Sequence, residues 1–253
     1  MKPFVIAVSG KGGTGKTTIS ALLVRCLVEA GLTPVLAVDA DPNANLHEAL
    51  GLPLPESLGS MREDAFTKSI PSGMSRTGYI RYRFRKVIVE EKGYDLLAMG
   101  RPEGSGCYCF AHDLLQACMR MLEQDYAFII IDNEAGMEHI SRGTIGAPDL
   151  LVIVTDPAAR SVRTVTRIRE IAGSLGLSGV PVLTLVNRVK PGKKPDVSGI
   201  PGQIAWIPED PEIEEADRTG DAIINIPDNG PAKMAVKELV EKLAGSRGGI
   251  RRT

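Results

Sequence analysis

Residues Gly10-Lys11-Gly12-Gly13-Thr14-Gly15-Lys16-Thr17-Thr18 constrain this chain more than any other stretch. They match G-x-x-x-x-G-K-[ST], a pattern that carries meaning only where a strand leads in and a helix leads out. Here the apolar run Phe4–Val8 precedes it, and the helical-looking segment Ile19–Ala30 follows. Backbone N–H groups of such a glycine-rich turn point inward and cradle phosphate oxygens at a helix N-terminus. Lys16 then reaches the β- and γ-phosphates of a nucleoside triphosphate, and the Thr17 hydroxyl faces Mg²⁺. Gly12, Gly13, Thr14, Gly15 and Thr18 complete the cradle. ATP and Mg²⁺ are the expected ligands.

Apolar runs recur between helical patterns: Phe4–Val8, Val35–Asp39, Asp95–Met99, Phe128–Asp132, Leu150–Thr155, Val180–Asn187 and Ile204–Ile207. They are apolar on successive residues, which suits strands covered on both faces of a parallel sheet. Helical segments such as Arg160–Leu175 and Pro231–Ala244 lie between or after them. The alternation implies an α/β fold, a doubly wound and mostly parallel sheet flanked by helices. At 253 residues the chain reads as a single P-loop domain over residues 1–253, with Gly245–Thr253 a disordered tail. A formal net charge of −1 speaks against bulk binding to nucleic acid. With no signal peptide and no apolar run of membrane length, a cytoplasmic location and no stable membrane association are expected. The four cysteines are then free thiols or metal ligands rather than a disulfide framework.

Phe128-Ile129-Ile130-Ile131-Asp132 is a buried strand ending in an acid, and a carboxylate there can hold Mg²⁺-bound water. Asp39-Ala40-Asp41-Pro42-Asn43 closes the second strand, where open α/β sheets carry ligand chemistry. Lys11, directly after the first glycine, is not required by an ordinary phosphate loop. The form K-G-G-x-G-K-T-T resembles the deviant loop of the MinD/ParA/nitrogenase iron-protein group of ATPases. That resemblance implies a homodimer sandwiching two ATP molecules, with Lys11 crossing to the partner's nucleotide. It also implies that Asp39–Asn43 is a first switch in which Asp41 positions the attacking water, that Asp39 lies near the Mg²⁺ shell, and that Gly136 of a second switch approaches the γ-phosphate. Asn187, Arg188 and Pro208 would border the adenine, with Asn187 bonding the base.

A second feature is Met99-Gly100-Arg101-Pro102-Glu103-Gly104-Ser105-Gly106-Cys107-Tyr108-Cys109, expected in a loop leaving the third strand and entering a helix. Two thiols one residue apart in one extended stretch can approach a common metal. One chain supplies two thiolates and underfills a soft-metal site, whereas a two-fold axis supplies four. Cys107 and Cys109 of two subunits would then hold Ni²⁺, or Zn²⁺ in tetrahedral form. Cys26 and Cys118 fall among apolar helix neighbours and read as inert core residues. His112, three residues past Cys109, reads as a helix-N-terminal surface residue, with an auxiliary metal ligand as the alternative.

The phrase D-L-L-x-M-G-R-P-E-G-x-G-C-Y-C, with D-N-E-A-G-M-E-H, resembles the CooC-type nickel-inserting accessory ATPases of carbon monoxide dehydrogenase and their acetyl-CoA synthase counterparts. The resemblance runs from the phosphate loop through Asn187. It implies that ATP closes a dimer carrying nickel at the paired C-x-C motifs, and that hydrolysis commits the metal to either client. Thr14 stands where many relatives carry valine, a change expected to be tolerated. Arg76, Arg81, Arg83, Arg85 and Lys86, interleaved with Tyr79, Tyr82 and Phe84, form a basic segment expected to help dock the client. Two rival readings remain: an iron–sulfur electron-carrier ATPase, and a positioning ATPase acting on membranes or DNA.

Overall fold

The computed structural model describes residues 2–61, 73–101, 108–134, 147–193 and 195–248. Eight strands form one sheet: β1 Phe4–Gly10, β2 Val35–Asp39, β3 Ile88–Glu91, β4 Tyr94–Ala98, β5 Phe128–Asp132, β6 Leu150–Thr155, β7 Val182–Val189 and β8 Gln203–Pro208. Their order is β3-β4-β2-β5-β1-β6-β7-β8, parallel except for the antiparallel β3–β4 pair. The helices are α1 Lys16–Glu29, α2 Leu46–Ala49, α3 Arg76–Val87, α4 Tyr108–Leu122, α5 Ala159–Ser174, α6 Pro211–Thr219 and α7 Pro231–Gly248.

The unbroken apolar runs have the expected cause. In β2, Val35 and Ala37 point into a core shared with α1 and α7, while Leu36 and Val38 point into a second core with α3 and α4. In β6, Leu150, Val152 and Val154 take the first face, and Leu151 and Ile153 pack against α5 on the other. Period-two alternation therefore selects between two apolar layers rather than between core and water.

Two features depart from the sequence reading. The short edge strand β3 follows the basic helix α3 and turns at Gly93 (φ 91°) into β4, a hairpin the run-based reading passed over. Helix α7 includes Gly245–Gly248, the first part of the expected tail. A glycine in a helix costs about 1 kcal/mol relative to alanine. That is too little to stop a helix whose Val236 and Val240 are anchored in the core. Residues 249–253 lie outside the described residues.

The topology sets the site. At the carboxyl ends of the strands the phosphate loop leaves β1, the loop after Asp132 leaves β5, the Asp39–Asn43 segment leaves β2, and the thiol-bearing segment leaves β4. These four strands are consecutive neighbours in the sheet.

Candidate functional site

Strand β1 passes into the loop at Gly10, where an added Cβ would stand 2.2 Å from the Val154 carbonyl oxygen. Gly15 caps α1 in the left-handed region (φ 92°). The turn is closed on the Lys11 carbonyl, which accepts from the Thr14 hydroxyl at 2.9 Å and from its N–H at 3.4 Å. Lys16 is 9 % exposed and its Nζ donates to the same carbonyl at 3.4 Å, which folds the ammonium back over the turn. The Lys11 side chain is exposed.

Thr17 and Asp132 come together as expected: the Thr17 hydroxyl donates to Asp132 Oδ2 at 2.6 Å. Ser20, one turn further along α1, donates to Oδ1 at 3.2 Å. The sequence reading missed Ser20, although its i,i+3 spacing from Thr17 places both hydroxyls on one helix face. Asp132 is 2 % exposed, and burial raises its carboxyl to about 6, opposed by Thr17 and by the Lys16 charge. A hydroxyl and a buried carboxylate are the hard oxygen donors that Mg²⁺ takes, so this pair fits the ion.

Asp39 is fully buried and stands opposite Asp132 in the β2–β5 register. Its Oδ2 accepts from Leu46 N–H at 2.8 Å and its Oδ1 from Asp41 N–H at 3.0 Å. The carboxylate therefore shapes the turn into α2 from beside the expected metal position. Burial, and then the Asp132 charge, push it up to about 8. A carboxyl raised in the folded state binds extra protons there between its unfolded and folded values, so stability falls as pH rises across that window. We expect the EDTA-treated, nucleotide-free protein to lose thermal stability from about pH 4 to 8, and the loss to be smaller in Asp39→Asn. A difference in midpoint shift of more than about 3 °C between the two corresponds to roughly 1 kcal/mol for this chain length. Parallel melting curves across that range would contradict the assignment.

Asp41 is half-buried. Its Oδ1 accepts from the backbone N–H of Asn43 at 2.8 Å and from Asn43 Nδ2 at 3.0 Å. It lies in the turn that leaves β2, and its charge acts on the Asp132 carboxyl at the end of the neighbouring strand β5.

Asn187, Arg188 and Pro208 gather around a cleft of about 200 Å³ together with Thr18, Glu209 and Asp210. Asn187 nevertheless has prior partners. Its Nδ2 donates to the Thr14 carbonyl at 2.9 Å, and its Oδ1 accepts from the Arg188 N–H at 3.0 Å. An added Cβ on Gly15 would meet that Nδ2 at 2.4 Å, so the glycine makes the contact achievable. Arg188 (φ 58°) sits at the register shift between β7 and β8 and donates to the Gly13 carbonyl at 3.0 Å. Both residues brace the phosphate loop as well as line the cleft.

The thiol-bearing segment begins against the first switch. Met99 N–H donates to the Asp39 carbonyl at 2.8 Å, and Gly59 N–H donates to the Met99 carbonyl at 2.6 Å. Gly100 (φ 65°) lies so close to Ser57 that a Cβ would stand 2.2 Å from its hydroxyl. Arg101 Nη2 donates to Asn43 Oδ1. Cys107 lies outside the described residues. Cys109 is the second residue of α4, in a helical first turn rather than an extended stretch. His112 is on the same helix. Gly136 and the rest of the second switch, 135–146, lie outside the described residues. Among the described residues no cluster of three or more His, Cys, Asp or Glu could hold a metal ion.

The other thiols behave as core. Cys26 and Cys118 are buried and free, and burial raises them to about 11 and about 12. In α3, Phe84 and Val87 pack with Leu115 and Cys118 of α4, while Arg81, Arg85 and Lys86 are exposed and Arg83 is half-buried. Lys86 Nζ lies 5.2 Å from the Tyr82 ring centre. The basic helix is thus a direct neighbour of the helix that carries Cys109.

The family described as CbiA, the CobQ/CobB/MinD/ParA nucleotide binding domain, matches residues 5–223. An uncharacterized ATP-binding protein of Methanocaldococcus jannaschii is 37 % identical over 252 residues, covering 96 % of this chain and 99 % of that protein. The carbon monoxide dehydrogenase accessory protein CooC of Rhodospirillum rubrum is 35 % identical over 269 residues, covering 96 % and 98 %. Among solved structures, the septum site-determining protein MinD of Pyrococcus horikoshii, complexed with Mg-ADP, aligns with a TM-score of 0.68 and 26 % identity. That alignment covers 97 % of this chain and 98 % of MinD.

Proposed function

The chain belongs to the CobQ/CobB/MinD/ParA nucleotide-binding family and is an ATPase, and from that premise we propose that its hydrolysis cycle drives nickel delivery to carbon monoxide dehydrogenase or acetyl-CoA synthase. One observation carries the proposal. The segment leading to the C-x-C pair springs from β4, directly beside the first switch on β2. It does so in a chain 35 % identical along 96 % of its length to a carbon monoxide dehydrogenase accessory protein.

In this reading the reaction is ATP + H₂O to ADP and phosphate. The loop amides and Lys16 neutralise charge that grows on the transferring phosphoryl group. Thr17 and Asp132 would hold Mg²⁺, which would supply positive charge to offset that developing on the phosphates. Asp41 orients the water, and Asp39 fixes the turn from which Asp41 projects. Lys11 reaches the nucleotide of a second subunit. Cys107 and Cys109 of both subunits hold nickel as cargo, a site that zinc would also fit. The exposed basic face of α3 supports client docking beside that cargo. Among the described residues no helix is long and apolar enough to cross a membrane.

Lys11→Ala is expected to leave ATP binding within a few-fold of wild type. Hydrolysis should fall by two orders of magnitude or more, the scale of a transition-state charge supplied in trans, about 10³–10⁵. Steady-state hydrolysis with sedimentation checks this, and unchanged turnover would remove Lys11 from the site.

Activation of nickel-free carbon monoxide dehydrogenase, and separately of nickel-free acetyl-CoA synthase, by this protein with Ni²⁺ and ATP tests the function. An ATP-dependent gain with one client supports the proposal and identifies it. Failure with both, together with ATP-dependent sedimentation on liposomes or DNA, would replace it with a positioning role.

A further inference from the structure

We propose that the sheet face covered by α3, α4 and α5 docks the acidic surface of a folded protein, the enzyme that accepts the metal. The proposal deepens the functional reading and rests on it. Val5 of β1 packs with the core of α3 and α4, and Ala7 of the same strand packs with the core of α5. Residues two apart on a strand share a face, so the three helices form one layer. Helix α3 stands beside the edge strand β3, α5 over β6, and α4 between them.

Positive charge is concentrated in that layer. Its three helices carry ten basic and two acidic residues, in a chain whose formal net charge is −1. They hold nine of the eighteen arginines but one of the twelve lysines. On α5, Arg160, Arg163 and Arg167 are exposed at spacings of three and four, and on α3 Arg81 and Arg85 are exposed at a spacing of four. Residues at those spacings share one helix face, where like charges repel. Among the described residues none of these five has an ion-pair partner, whereas Arg25, Arg188 and Arg218 each have one. The two acids of the layer, Asp113 and Glu170, are exposed and form no ion pair with them. An acidic partner would relieve a repulsion that the chain itself leaves standing.

Composition selects the kind of partner. Contacts between proteins are enriched in arginine and tyrosine and depleted in lysine, which is the balance in this layer. Neutralising a phosphate backbone calls on lysine and arginine alike and would leave that bias unexplained. A guanidinium fork meets a carboxylate in two parallel hydrogen bonds, which an ammonium does not. Tyr82 is 46 % exposed beside Arg81, with Lys86 Nζ over its ring, and supplies the aromatic area on which such contacts centre. A protein seated across the layer covers α4, the helix that carries Cys109.

The test measures binding of this protein, with Mg²⁺ and a non-hydrolysable ATP analogue, to nickel-free carbon monoxide dehydrogenase and, separately, to nickel-free acetyl-CoA synthase. Wild type is compared with Arg160→Glu/Arg163→Glu/Arg167→Glu and with Arg81→Glu/Arg85→Glu. The control is Lys237→Glu/Lys242→Glu on α7, which packs on the other face of the sheet. A melting curve confirms that each variant is folded. Each arginine variant is expected to lose about ten-fold or more in affinity for one of the two enzymes, chiefly through slower association. Wild-type association should slow by a similar factor between about 0.05 M and about 0.3 M salt. The α7 variant should stay within about two-fold of wild type. Undiminished affinity in both arginine variants, for an enzyme that wild type binds, overturns the docking face and leaves the metal-delivery reading standing. Binding of wild type to neither enzyme removes both. Salt-sensitive binding of duplex DNA, abolished in the same variants and without binding to either enzyme, would replace the acidic protein with a nucleic acid.

Discussion

Cys107→Ala/Cys109→Ala is expected to abolish nickel binding by the reduced protein, an affinity loss beyond about 10²-fold, while nickel-independent ATP hydrolysis stays within about two-fold. Replacing a single partner that only orients a ligand already weakens metal sites by 10–100-fold. Removing every thiolate ligand must cost more. The remaining cysteines cannot substitute, because a metal takes the thiolate. Cys26 and Cys118 are buried, with thiols raised to about 11 and about 12. Hydrolysis should survive because the phosphate loop draws its contacts from Lys11, Asn187, Arg188 and Asp132, none of them in the thiol segment. Titration followed by thiolate-to-metal absorption checks both halves. Undiminished nickel binding in the variant would move the cargo site elsewhere.

Lys16→Ala should lower ATP hydrolysis by about 10²–10³-fold, the scale for removing one preorganised charge or donor from a transition state. The ammonium is 9 % exposed and already directed at the Lys11 carbonyl inside the turn, so little reorganisation is needed to meet a phosphate oxygen. Its loss also removes the positive charge that holds down the Asp132 carboxyl. A higher Mg²⁺ requirement should therefore accompany the slower turnover. Initial rates across a Mg²⁺ series read both, with a melting curve to confirm folding. A loss under ten-fold would mean that Lys16 does not face the reacting phosphates.

Much of this was legible in the chain because the physics is local or periodic. The runs at Val35–Asp39, Phe128–Asp132 and Leu150–Thr155 coincide with β2, β5 and β6. Their short length and Val/Ile content mark them as strands covered on both faces. The phosphate loop is equally local, since glycines at positive φ must be written into the sequence. Strand β3 was missed because Ile88–Glu91 is short, half-exposed and fused to a basic helix. The left-handed Arg188 and the register shift between β7 and β8 carried no sequence signal, since the run Val180–Asn187 reads as an ordinary strand. Contacts between distant residues were the least legible. Asp39 opposite Asp132, Asn187 on Thr14 and Arg101 on Asn43 exist only because the topology sets their strands or loops side by side. The extended geometry expected at Cys109 gave way to helix for a local reason. The amphipathic pattern of Leu114, Leu115, Cys118 and Met119 drives helix α4, which begins at Tyr108 and takes in Cys109.

The most direct test of the account is the native mass of reduced, nickel-titrated protein held with Mg²⁺ and a non-hydrolysable ATP analogue. Two chains, two nucleotides and one nickel in a single species is the predicted result, with the nickel lost on Cys107→Ala/Cys109→Ala. A dimer that holds two nucleotides and no nickel, or a monomer that holds nickel without a partner, would contradict it.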